Sequence, residues 1–296
     1  CMPPPDPATV RRILIWTMDR IGDVVRATPA LRAVRSRFHL AHITAVVADR
    51  SAPVLLNNPR INEVRVVRPP RSIGEHLRTL GALGERNWDL GILLECDPYW
   101  AELGQWSLRG LGVRRWASMD FGDGRCVSAW RAPLGPGSWA DQFSALAVSV
   151  GATPDDRGTE LFLSPREIAA ADGFLRSHGL DPTQRFVIVH PGGNFLTVSR
   201  QWPPESYAQL ITMLHREHGL PVLITGLDAE KPLAQRIADL TLAPIANACG
   251  RLGLRELMAV ISRSSLCVMN DTGPLHIANA LRIPSVAVVG PTAAEV

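Results

Sequence analysis

The residues best placed to do chemistry lie in Asn270-Asp271-Thr272-Gly273-Pro274-Leu275-His276. They follow Ser265-Leu266-Cys267-Val268-Met269, five mostly apolar residues that read as a buried parallel strand. In open α/β sheets, ligands bind outside the carboxyl ends of such strands. Asp271 or Thr272 can cap a helix that His276, Ile277, Ala278 and Leu281 continue. The N–H groups of a helix start suit an anion such as a phosphate. Gly273 lets backbone approach a ligand closely, and Pro274 is tolerated in the first helical turn. The same residues also compose an ordinary capped turn, with His276 a satisfied helix histidine. Taken alone, the stretch leaves both readings open.

Other familiar chemistries lack their residues. The first strand–helix loop has no Gly-x-Gly-x-x-Gly for a dinucleotide, and no Gly-x-x-x-x-Gly-Lys-Ser/Thr loop exists for a nucleoside triphosphate. Gly-x-Ser-x-Gly and His-Glu-x-x-His are missing, which argues against a serine hydrolase or a zinc protease. There is no Asp-x-Asp to hold a metal on a diphosphate. Cys1, Cys96, Cys126, Cys249 and Cys267 are widely spaced without a Cys-x-x-Cys pair, so neither a zinc site nor a disulfide framework is indicated. Cys96 and Cys267 read as buried thiols. A net charge of +3 fits an anionic substrate or an acidic membrane surface and is too weak for a nucleic-acid groove.

These residues need a scaffold, and the chain supplies an alternation of strands and helices. Arg12–Trp16, His42–Ala48, Val64–Val67 and Asp89–Leu94 read as strands, the last ending in Glu95. Val24–Phe38 and Ile73–Leu83 read as helices, with Pro29 kinking or breaking the first. From Trp100 to Gly137 the pattern weakens. Ala140–Val150 is helical, and Ser164-Pro165 opens a helix running to about His178. The second half restarts with strands at Arg185–Val189, Pro221–Thr225 and Ser285–Val289, and helices from Pro204, Glu230 and Leu254. This alternation predicts α/β architecture with parallel sheets in two Rossmann-like halves. The expected domains are residues 1–160 and 183–296, joined by a linker region at 161–182. With 46% hydrophobic and 20% charged residues, the composition is globular. The N-terminus lacks the regions of a signal peptide and no apolar run reaches a membrane span, so a cytoplasmic location is expected.

Several motifs in order resemble the glycosyltransferase family 9 heptosyltransferases. They are Ile21-Gly22-Asp23-Val24-Val25 with Thr28-Pro29-Ala30-Leu31, His190-Pro191-Gly192, Arg200-Gln201-Trp202-Pro203, Thr225-Gly226 with Glu230, Asn270–Ala278, and Gly290-Pro291-Thr292. The resemblance covers nearly the whole chain and is weakest over about 95–165. It implies a GT-B architecture, two Rossmann-like domains facing a central cleft. The N-terminal domain would bind acceptor and the C-terminal one ADP-heptose, with inversion at the anomeric carbon and no metal or other cofactor.

Residue by residue, the resemblance makes Asp23 the general base for an acceptor hydroxyl, a position that could otherwise be a helix N-cap. Asp19 is a second carboxylate, read as a solvated loop residue. Arg200 stands where the family usually has Lys on the donor phosphates. Asp271 would contact the donor sugar, Thr272 and Gly273 with His276 the diphosphate, and Glu230 the ribose hydroxyls, where a helix-start acid is the alternative. Trp202 would pack beneath its loop. Arg20, Arg26, Arg32 and Arg35 surround Asp23 in sequence and could face a phosphorylated lipid acceptor, though a charged helix face is ordinarily solvated. The implied partners are a nucleotide-sugar donor and a lipid-linked or oligosaccharide acceptor, with peripheral contact at the inner face of the cytoplasmic membrane and no nucleic acid. The loop from Gly193 to Trp202 is longer than in many members, and the C-terminal domain is expected to be truncated at Val296. The competing readings are another GT-B enzyme with a different donor, an epimerase among them, and a two-lobed binding protein without catalysis.

Overall fold

The computed structural model describes residues 2–70, 72–84, 87–122, 128–193 and 202–289. The chain divides into two compact units, Cys1–Phe162 and Leu163–Glu295.

The first unit is built on a parallel sheet of six strands: β1 (Arg12–Thr17), β2 (His42–Ala48), β3 (Glu63–Val67), β4 (Leu90–Leu93), β5 (Trp116–Asp120) and β6 (Trp130–Pro133). Their order is β3-β2-β1-β4-β5-β6. β1 is buried from Ile13 to Thr17 without alternation, as a central strand covered on both faces must be. The helices are α1 (Ile21–Arg26), α2 (Thr28–Arg37), α3 (Ile73–Leu83), α4 (Pro98–Gly110) and α5 (Trp139–Ser149). The expected helix over 24–38 breaks at Ala27, because Pro29 lacks the N–H that would continue it and instead sits in the first turn of α2. Side chains start the later helices: Ser72 accepts from Glu75 N, Asp97 from Tyr99 N, and Ser138 forms a reciprocal box with Asp141.

The second unit opens with α6 (Pro165–Ser177), whose Ser164 and Glu167 form another capping box. This helix occupies the region read as linker. Five parallel strands follow: β7 (Val187–His190), β8 (Val222–Ile224), β9 (Ile245–Asn247), β10 (Leu266–Asn270) and β11 (Ser285–Val288). Their order is β11-β10-β7-β8-β9. α7 (Pro204–His218), α8 (Lys231–Leu240), α9 (Leu254–Ile261) and α10 (Gly273–Ala280) complete it. Tyr207, Ile211, Ala234 and Ile237 from α7 and α8 pack with Val187, Val189, Val222 and Ile224 in one core cluster. Among the described residues, no helix is long and apolar enough to cross a membrane.

Each sheet therefore reverses direction once. In the first unit the chain leaves β1 towards β2 on one side, while β4 lies on the other. In the second unit, β7 is flanked by β8 and β10 in the same way. The loops at such a reversal diverge and leave a crevice at the carboxyl ends of the strands. Those crevices gather residues 18–23 with 94–97, and residues 191–193 with 271–273.

Candidate functional site

In the second unit, the crevice is assembled by buried hydrogen bonds. Asn270, 3% exposed at the end of β10, donates from Nδ2 to the carbonyls of Pro191 (2.8 Å) and Gly192 (3.1 Å). Its Oδ1 accepts from the Tyr207 hydroxyl at 2.8 Å. His190, at the end of β7, lies 3.0 Å from Thr225 Oγ1 through Nδ1, and burial pulls its pKa down to about 4, so the ring is neutral. Both walls of the crevice are thereby pinned.

Thr272 occupies the N-cap of α10, but its hydroxyl donates back to the Asn270 carbonyl at 3.3 Å and no side chain caps the helix. Neither capping alternative is realised. Asp271 is exposed, while Thr272, Gly273 and His276 are half-buried around the helix start. Such an uncapped start offers backbone N–H groups and the positive end of the helix dipole to an anion.

Glu230 is 5% exposed, and its carboxylate spans two loops: Oε1 accepts from Gly193 N (3.0 Å) and Oε2 from Leu227 N (2.7 Å). A Cβ on Gly192 would lie 2.1 Å from Oε1, so only glycine leaves room for this carboxylate. Each oxygen retains acceptor capacity for a hydroxyl. On the carboxyl side of β8 and β9, a cavity of about 350 Å³ is lined by Lys231, Pro232, Gln235, Asn247, Cys249 and Arg251. The sequence reading missed these residues. Their signal was weak: a Gly-Arg pair following a three-residue strand. Arg200 and Gly290-Pro291-Thr292 lie outside the described residues. Trp202 is 36% exposed and meets the Tyr207 ring edge-on with centroids 5.1 Å apart.

In the first unit, Asp23 is not an N-cap: Arg20 holds that position, and Asp23 sits in the first turn of α1. Its Oδ1 pairs with Arg26 Nη2 at 2.5 Å, one turn on. Asp19 corrects the expectation of a solvated residue. It is 5% exposed, accepts the Cys96 N–H at 2.6 Å, and burial raises its pKa to about 6. Donor atoms of Asp19, Asp23 and Cys96 lie within 4.8 Å of one another. They do not make a convincing cation cage. Asp23 is paired with a guanidinium, Asp19 with a backbone N–H, and burial pushes the Cys96 thiol far above its ordinary range.

The arginines around Asp23 also sort differently from expectation. Arg32 is 1% exposed and pairs with Asp155 (2.5 Å) and Glu160 (2.9 Å), and its Nη2 donates to the Gly158 carbonyl. Arg35 donates to the carbonyls of Ala41 and Arg60 and to Asn62. Both therefore hold α2 to neighbouring loops rather than face a ligand. Arg20 is exposed and Arg26 half-buried.

Comparison with known proteins gives the family and the fold. Residues 139–296 match glycosyltransferase family 9 (heptosyltransferase). The lipopolysaccharide core heptosyltransferase OpsX of Haemophilus influenzae is 23% identical over 284 residues, 93% of this chain and 77% of that protein. Among solved structures, the family 9 glycosyltransferase of Veillonella parvula superposes with a TM-score of 0.84 at 24% identity, over 95% of this chain and 82% of its own. The ADP-heptose lipopolysaccharide heptosyltransferase II of Escherichia coli gives 0.79 at 21% identity, over 96% and 86%.

Proposed function

The chain belongs to glycosyltransferase family 9, and from that premise we propose that it transfers a heptose from ADP-heptose to a lipopolysaccharide-core or related lipid-linked acceptor, with inversion and without a metal. The observation that carries the reading is the uncapped start of α10 beside Asp271 and His276, at the sheet reversal of the second unit. The diphosphate sits on the Gly273 end of α10, where backbone dipoles take the negative charge that develops on the leaving group. His276 adds to that stabilisation, and Arg200, in the sequence position the family gives to a donor-phosphate cation, supplies a further positive charge. Asp271 orients the sugar. Glu230 takes the ribose hydroxyls, and the cavity along Asn247, Cys249 and Arg251 takes the base; its volume falls within the range of small-molecule sites.

Asp23 removes the proton of the acceptor hydroxyl as that oxygen attacks the anomeric carbon. The new C–O bond forms as the bond to the diphosphate breaks, and ADP leaves with the electron pair. The Arg26 contact fixes the direction of the carboxylate. The acceptor's lipid end places the reaction at the inner face of the cytoplasmic membrane, with the protein a peripheral visitor.

Asp23→Asn is the direct test. Turnover should fall by about 10²–10⁴ with the donor KM nearly unchanged, because a general base acts in the transition state rather than in donor binding. The same assay in excess EDTA should run at the untreated rate. Full activity of Asp23→Asn, or EDTA inhibition reversed by Mg²⁺ or Mn²⁺, would overturn the assignment.

A further inference from the structure

The reversal point of the first sheet holds two carboxyl groups whose hydrogen bonds cross. Glu95, following β4, takes the Met18 N–H on Oε1 at 2.7 Å; Asp19, following β1, takes the Cys96 N–H on Oδ2 at 2.6 Å. Each strand's loop is thus held by the carboxyl of the other. Glu95 is 1% exposed, and its second oxygen, Oε2, is buried with no hydrogen-bond donor facing it among the described residues. A buried, unsolvated carboxylate oxygen is costly, and two such anions side by side are more so.

We propose that Glu95 is a positioning residue for Asp23: it is protonated in the folded protein, donates Oε2–H to the Asp19 carboxylate, and so staples the loop that presents Asp23 to the end of β4. One proton serves two carboxyls, and the orphaned oxygen becomes a donor with an acceptor. The inference rests on the reading of Asp23 as the base.

The surroundings agree. The acids facing the pair are Asp23 and Asp97, beside the Cys96 thiol; of the nearby cations, Arg26 is committed to Asp23 and Arg50 to a backbone carbonyl. Arg50 Nη2 donates to the Met18 carbonyl at 2.7 Å, and Ser51 Oγ to the Asp19 carbonyl at 3.0 Å, so the backbone of the stapled loop is held from β2's side as well. Burial first, then the Asp19 charge, drive the Glu95 carboxyl well above its ordinary range. The pair titrates as a unit. Because its folded-state affinity for the proton is raised, the stability it contributes is complete below the ordinary carboxylate range and is lost as pH rises through the raised value.

Infrared difference spectra of the whole protein with ¹³C-labelled glutamate provide a readout that does not depend on activity. The wild type at pH 7 should show a protonated carboxylic-acid band that Glu95→Gln removes. Gln can donate to Asp19 and accept from Met18, so this variant should keep kcat within about threefold while losing the alkaline decline in both kcat and melting temperature. Glu95→Ala should lower kcat by about 10–100-fold with the donor KM unchanged, since a small misplacement of a reacting group has a cost of that order. Absence of the band, or a loss in Glu95→Gln as large as in Glu95→Ala, would overturn the proposal. Full activity of Asp23→Asn with the band present would overturn only the assignment of the base.

Discussion

Asn270 shows how one side chain can organise a binding surface. Its amide donates to two successive carbonyls of the β7 loop and accepts from Tyr207 on α7, all in a buried setting. Tyr207→Phe leaves Oδ1 without its donor, and this should reduce unfolding stability by about 1–3 kcal/mol in urea titrations. Asn270→Asp should cost more, because a carboxylate would aim oxygen at the two carbonyls that now receive N–H. Its donor KM should also rise, since those carbonyls set the spacing between residues 191–193 and the α10 start. Equal stability of Asn270→Asp and wild type would mean the loops are fixed by other contacts. Asn270 was legible in the sequence as part of a motif but not as its keystone, since a buried amide and an exposed turn residue look alike in one dimension. The same blindness turned Asp19 into a solvated residue and the paired Arg32 and Arg35 into candidate ligand contacts. For Asp19 and Arg32, burial depends on partners 77 to 128 positions away, Cys96 for the first and Asp155 and Glu160 for the second.

Among the elements, α6 carries the clearest energetic signature. Glu167 closes the capping box with Ser164 and also receives Arg255 of α9 bidentately, Nε at 2.6 Å and Nη2 at 2.7 Å. Arg263 reaches Asp172 on the same helix at 2.7 Å. The Arg255 bonds hold the Glu167 carboxyl down at about 2. A depressed carboxyl contributes stability above its ordinary value near 4.5, and that stability is lost as pH falls from there through about 2. Glu167→Gln should therefore cost about 1–3 kcal/mol at pH 7. Its stability should also vary less with pH than the wild type's between about 5 and 2, as followed by circular dichroism. A variant as stable as wild type, with the same acid limb, would show the clamp to be exposed and screened. The start of α6 was readable from Ser164-Pro165, as was the break at Pro29, because caps and prolines act locally. β5, β6 and β9 were not: they are three to five residues long, and their pairing partners rather than their own periodicity make them strands.

For the whole molecule, strand order matters more than any single loop. Both units run outward from a central first strand, β1 or β7, and then begin again on its other side, so each has one reversal and one crevice. That order follows from non-local pairing, and the sequence indicated only its ingredients, alternating strands and helices with polar loops after β1, β7 and β10. If the second unit alone holds the nucleotide, ADP without acceptor should slow backbone hydrogen exchange at residues 190–193, 225–230, 247–251 and 270–276. Residues 12–26 and 90–97 should exchange as before. Ligand binding stabilises only what it orders, by about 2.7 kcal/mol at a hundredfold excess over Kd. In calorimetry, ADP should accordingly raise the transition of the second unit while leaving that of the first in place. Protection of the β1 loop around Asp23 by ADP alone, with no change at the α10 start, would move the nucleotide to the first unit and reverse the proposed division between donor and acceptor.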